Sequence, residues 1–93
     1  MKKSLATTQD GVSWTYYDRE DGLVGKYVLS ISITDNGDVY FGTNEGISMF
    51  DGEIWYTIPV PDELLGIGIK TVAAAPDGSL WYGSCRGLMR FIP

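Results

Sequence analysis

The chain has 93 residues, an ordinary apolar share of 44%, a formal net charge of −5, one cysteine and no histidine. That size suits one small folded domain, and that composition argues against disorder. Only seven Lys and Arg are present, with no cluster after Lys2-Lys3, so phosphate neutralisation and nucleic-acid binding are excluded as expectations. Cys85 cannot form an internal disulfide, and no apolar run is long enough to cross a bilayer as a helix. Ser4-Leu5-Ala6-Thr7-Thr8-Gln9-Asp10 is too polar for the core of a signal peptide. A soluble chain is expected, cytoplasmic as it stands, or periplasmic if it derives from a larger sensor.

In chain order, residues 1–9 read as a loose N-terminal tail. Asp10-Gly11 reads as a turn. Residues 12–17 follow as a strand rich in aromatic and β-branched side chains. Residues 18–26 form a polar, Gly-containing loop. Residues 27–34 alternate, with Val28, Leu29, Ile31 and Ile33 broken by Ser30, Ser32 and Thr34, which predicts a strand. Asn36-Gly37 predicts a tight type I′ hairpin. Strands over 39–43, 47–50 and 54–58 come next, separated by Asn44-Glu45-Gly46 and by Asp51-Gly52. Pro59 and Pro61 end the last of these, since proline cannot donate to a ladder. A second long loop over 59–69 holds at most one helical turn at Asp62-Glu63-Leu64-Leu65, stopped by Gly66. Strands at 71–75, 80–84 and 87–92 complete a count of eight.

The second half of the chain repeats the first. Gly37, Gly42, Gly46 and Phe50 recur 41 positions later as Gly78, Gly83, Gly87 and Phe91. Asp10-Gly11, Trp14, Asp21, Leu23 and Gly25 recur at the same offset as Asp51-Gly52, Trp55, Asp62, Leu64 and Gly66. Residues 10–52 laid on 51–93 give 10 identities in 43 pairs without a gap. A fixed period of this size signals a solenoid or a propeller array.

These residues resemble the two-component regulator propeller repeat family. The first copy carries Gly22-Leu23, Val28, Ile31, Asp35, Gly37, Gly42-Thr43, Gly46-Ile47, Phe50-Asp51-Gly52 and Trp55. The second carries Leu64, Val72, Asp77-Gly78, Leu80-Trp81, Gly83-Ser84, Gly87-Leu88 and Phe91. Tyr40 stands where the family has Trp, and Ile92-Pro93 stands in place of the second Phe-Asp-Gly. The resemblance implies an all-β fold of two four-stranded β-propeller blades over 10–93, related to the blades of bacterial sensors.

Two blades leave faces and edges uncovered, whereas repeat architectures need about three or more neighbours to bury a continuous core. The strand at 12–17 matches the fourth strand that the last blade lacks. The expectation is therefore a cyclic homo-oligomer in which 12–17 completes the last blade of a neighbouring chain. A trimer is favoured, with dimer and tetramer as the other closures.

No cofactor and no metal are expected, because the Asp-Gly and Asn-Gly pairs suit turns better than calcium loops. Trp14, Trp55 and Trp81 suit packing between blades better than sugar stacking. Without histidine to activate it, Cys85 is no candidate nucleophile, and no catalytic residue is assigned. In a propeller the long loops and the turns after each second strand share one face. The candidate ligand-binding residues on it are Arg86, Asn44, Glu45, Tyr27 and Lys70, for a small molecule or a protein of unidentified kind. The function expected is a non-enzymatic binding or interaction module. The alternatives are a fragment of a larger two-component sensor, and a relative of propeller lyases such as streptogramin lyase. The absent histidine argues against the last.

Overall fold

A computed structural model describes residues 3–7, 13–64 and 66–93, with side chains for all of these except 3–7, 13 and 63. The fold is all-β, and no α-helix occurs among the described residues. A short hairpin pairs β1 (Lys3–Thr7) with β2 (Ser13–Tyr16). A four-stranded antiparallel sheet follows in chain order: β3 (Val28–Ile33), β4 (Val39–Thr43), β5 (Ile47–Phe50) and β6 (Trp55–Ile58). A single 3-10 turn at Asp62–Leu64 leads into a three-stranded antiparallel sheet of β7 (Ile69–Ala74), β8 (Leu80–Ser84) and β9 (Gly87–Phe91).

Lys3–Thr7 is a correction to the sequence reading, which placed a loose tail there. The segment lacks strong strand formers at most positions and gains its order from the ladder with β2, where Ala6 lies opposite Trp14. The expected Asp10-Gly11 turn lies outside the described residues.

The turn after β3 also differs from expectation, and the turn after β7 takes the same form. Type I′ needs positive φ at two residues, but only Gly37 (φ 95°) is positive in the first and only Gly78 (φ 90°) in the second. The Gly37 N–H donates to the Thr34 carbonyl at 3.0 Å, and the Thr34 N–H to the Asp38 carbonyl at 2.9 Å. Gly78 and Ala75 repeat the two bonds, at 3.0 and 2.9 Å. Each loop therefore holds three residues and ends on a left-handed glycine. The Thr34 hydroxyl braces the first loop, bonding to the Asn36 side chain and accepting the Asp38 N–H at 3.1 Å, while the second loop takes the same form with Ala75 in its place.

Cross-strand pairing sorts each sheet into two faces. Ser30, Ser32, Tyr40, Gly42, Ile47 and Met49 share one face of the first sheet; Ile31, Ile33, Val39, Phe41 and Phe50 share the other. In the second sheet Val72, Ala74, Leu80, Tyr82 and Phe91 share one face, and Thr71, Ala73, Trp81, Gly83, Leu88 and Arg90 the other. The core forms where the Ser30–Met49 face meets the Val72–Phe91 face. Tyr40, Ile47, Ile58, Leu64, Ile69, Val72, Leu80 and Tyr82 are buried there together. The strands approach closely enough for the Ala74 N–H to donate to the Ser32 hydroxyl at 2.9 Å. A side chain at Gly42 would lie 2.7 Å from the Ile69 carbonyl oxygen, so the close crossing depends on glycine. The Ser30 hydroxyl is buried in this seam without a hydrogen-bond partner.

The other face of the first sheet is half covered. Phe50 stacks on Trp55 at 4.5 Å, Phe41 lies 5.4 Å from the same indole, and Tyr17 leans in at 5.4 Å from Phe50. Leu23 is buried, and the Val24 N–H donates to the buried Ser48 hydroxyl at 2.8 Å. Ile31 and Ile33 stay 58% and 66% exposed, so this layer stops short of the edge strand β3.

The last sheet carries an exposed charge cluster with a checkable pH dependence. Asp77 accepts the Ser79 hydroxyl at 2.6 Å, the Ser79 N–H at 3.0 Å and the Arg90 guanidinium at 2.9 Å. The Ser79 bonds first, then Arg90, lower its pKa from 3.8 to about 2. A depressed carboxylate contributes stability that is full above the unfolded value and lost as pH falls through the folded one. Asp77→Asn is therefore expected to lower the urea midpoint at neutral pH, with the gap to the parent chain closing between pH 3.8 and about 2.

Candidate functional site

The five candidate residues lie at one end of the two sheets, fixed there by the strand register. Val28 pairs with Thr43 and Ile69 with Ser84, so the starts of β3 and β7 and the turns after β4 and β8 share this end. Tyr27 and Asn44 are brought together: the Tyr27 N–H donates to the Asn44 side chain at 3.0 Å, and the Asn44 N–H to the Tyr27 carbonyl at 3.2 Å. Asn44 is thereby engaged in holding the loop, which limits what its amide can offer a ligand. Lys26 sits 5.6 Å from the Tyr27 ring centroid, and Glu45 pairs with Arg19 at 3.7 Å. Lys70 and Arg86 belong to the second sheet, and both are exposed.

The Gly-Thr and Gly-Ser pairs gain a local physical role at this end. The Thr43 hydroxyl donates to the Gly46 carbonyl at 2.8 Å and accepts the Glu45 and Gly46 N–H groups, both at 3.1 Å. Ser84 accepts the Arg86 N–H at 3.1 Å. A hydroxyl at this position ties each turn, which is why short hydroxyl residues stand at both copies. Glu45 and Arg86 are repeat equivalents with opposite charge, so the end is chemically uneven.

The opposite end carries a feature that the strand pattern did not reveal. An open cleft of about 600 Å³ lies between the β3–β4 and β7–β8 turns. Asp35, Asn36, Asp38, Tyr40, Pro76 and Ser79 are among its lining residues. Burial, and secondarily the Asp38 carboxylate, raises the Tyr40 hydroxyl pKa. The lining is rich in oxygen acceptors and holds no cation. It suits a neutral polar or positively charged guest and contains no histidine or cysteine for nucleophilic chemistry. The available signal was the pair of equal turns 41 positions apart, which become neighbours once their strands pack. Among the described residues, no group of three or more His, Cys, Asp or Glu side chains could hold a metal ion, and no helix is long and apolar enough to cross a membrane. Cys85 is an exposed free thiol.

No protein-family model matches the chain, and a search of curated proteins finds no match.

Proposed function

We propose that this chain is a non-enzymatic binding or interaction module, whose two sheets are blades of a β-propeller ring closed by further copies of the chain. One observation carries the reading: both outward faces leave large apolar side chains exposed. Ile31 and Ile33 on the first sheet and Leu88 on the second are 58%, 66% and 66% exposed, and Trp81 beside Leu88 is 40% exposed. Contiguous exposed apolar surface marks an interaction site. The 41-residue repeat and the crossing of β3 against β7 agree with neighbouring blades around an axis.

A trimer of two-blade chains, giving about six blades, lies inside the roughly 4–8 blades of closed propellers. Ligands would meet the end that presents Tyr27, Asn44, Glu45, Lys70 and Arg86. The cleft at the other end, lined by Asp35 and Asp38, offers a second surface of different charge. The test is native mass spectrometry at micromolar concentration with light scattering alongside. The expected result is a single closed species of three chains. A folded monomer would overturn the ring.

A further inference from the structure

We infer that a second copy of this chain docks the Thr71–Arg90 face of its three-stranded sheet onto the Ile31–Phe50 face of the four-stranded sheet, head to tail. The inference rests on the ring reading and adds which surfaces meet. Its first support is the repeat itself. Within one chain, the Ser30–Met49 face is buried against the Val72–Phe91 face. Advancing the first face by 41 positions turns Ser30, Ser32, Tyr40, Gly42, Ile47 and Met49 into Thr71, Ala73, Trp81, Gly83, Leu88 and Arg90. Moving the second face back by 41 turns Val72, Ala74, Leu80, Tyr82 and Phe91 into Ile31, Ile33, Val39, Phe41 and Phe50. The two open faces are thus the repeat mates of the two that already bury each other. A second copy whose first sheet follows the second sheet by one repeat step buries one open face from each chain with the same packing.

The second support is a pair of glycines. Gly42 admits the Ile69 carbonyl at the internal crossing. Among the described residues, its mate Gly83 has no backbone above it; an added Cβ would meet only the Thr71 hydroxyl, at 2.9 Å. The space held by Ile69 at the internal seam is therefore open at Gly83, and Val28 of a second copy, the mate of Ile69, would fill it.

The third support is the N-terminal segment. Tyr17 is the mate of Ile58, and Leu23 of Leu64. Ile58 and Leu64 are buried in the core cluster that contains the Val72–Phe91 face. Tyr17 already lies on the open Ile31–Phe50 face, 5.4 Å from Phe50 and 5.7 Å from Trp55, and Leu23 is buried to 8% exposure against 7% for Leu64. The segment after β2 therefore runs along the first sheet as the segment after β6 runs along the second. The missing element in front of Ile31 and Ile33 is a three-stranded sheet, and β7–β9 of another copy is such a sheet. Among the described residues β9 has no partner on its outer side. Pairing of Phe50 with Trp55 translates to Phe91 opposite Trp14 of the second copy. Because β1 already pairs with β2, the completed sheet would have five strands rather than four.

A complementation experiment tests this. Leu88→Asp disables one face and Ile33→Asp the other; both side chains are largely exposed, so both variants are expected to remain folded by circular dichroism. Each alone should lose the oligomer and run as a monomer in sedimentation. Mixed, they retain one intact junction between them and should form a one-to-one heterodimer and nothing larger, because the remaining faces are both disabled. If the parent chain assembles but either variant assembles as well as the parent, or if the mixture stays monomeric, the docking geometry is wrong and the ring must close through other surfaces. If the parent chain is itself monomeric, the ring reading fails first. Gly83→Ala provides a second arm that leaves the face apolar: it should also lose the oligomer, and an undiminished oligomer counts against the glycine crossing.

Discussion

Replacing Leu80 by Ala is expected to destabilise the chain by about 3 kcal/mol, which lowers the melting temperature of a domain this size by roughly 15 °C. Leu80 is 1% exposed and sits in the core cluster between the two sheets. Truncation there removes apolar contacts and leaves a cavity that a seam held by a backbone–hydroxyl bond cannot easily close. The seam lies within one chain, so the loss should not change with protein concentration. Leu88 gives the contrast. It lies on the other face of the same sheet at 66% exposure, and its truncation should barely change the stability of an isolated chain. Thermal denaturation of both variants at two concentrations checks the pair. Equal losses at the two sites would contradict the assignment of Leu80 to the internal core.

Gly42→Ala is expected to cost a similar amount, about 3 kcal/mol, at the upper end of what overpacking usually costs. Its Cβ would stand 2.7 Å from the Ile69 carbonyl oxygen, 2.8 Å from the Ser30 hydroxyl and 3.1 Å from an Ile69 methyl. The serine could rotate away, but the carbonyl belongs to a strand and cannot. The two sheets would have to separate, which would also strain the bond from the Ala74 N–H to Ser32. Urea denaturation of Gly42→Ala beside Gly83→Ala measures the asymmetry. At dilution where the chain is monomeric, the first should shift the midpoint strongly and the second only slightly. Matching shifts would mean that the crossing at Ile69 is not what requires glycine at position 42.

The strands were legible because their residues alternate and because glycine and proline punctuate them. Val28 to Ile33 shows the pattern clearly, and the structure places β3 there. The start of β7 was hidden, because Gly68 and Lys70 interrupt its apolar pattern. A ladder irregularity between Ile69 and Thr71 absorbs the break, and the same irregularity stands between Val28 and Ser30 in β3. β1 was missed for a different reason: its order comes from β2, and a pairing partner is not visible in Lys3-Ser4-Leu5-Ala6-Thr7 alone. Asn36-Gly37 suggested the wrong hairpin, because the loop holds three residues with positive φ at Gly37 alone, a form that the Ala75–Ser79 loop shares without any hydroxyl at its first position. Tyr27 and Asn44 could be placed at one end by counting strands, yet their mutual hydrogen bonds could not be foreseen. The cleft beside Tyr40 was out of reach, since two turns far apart in the chain create it only after the sheets pack.

The distribution of the three indoles makes the molecule its own optical reporter. Trp55 is half-buried under Phe50, Phe41 and Tyr17, all of its own chain, so its emission follows folding. Trp14 and Trp81 are 60% and 40% exposed and emit from a wetter setting. A chain that keeps only Trp55, with Phe at the other two positions, would report unfolding by a red shift. If copies of the chain dock as proposed above, a chain that keeps only Trp81 would shift on dilution before it unfolds. The two traces would then follow the aromatic cluster of the first sheet and the outward face of the second from one polypeptide.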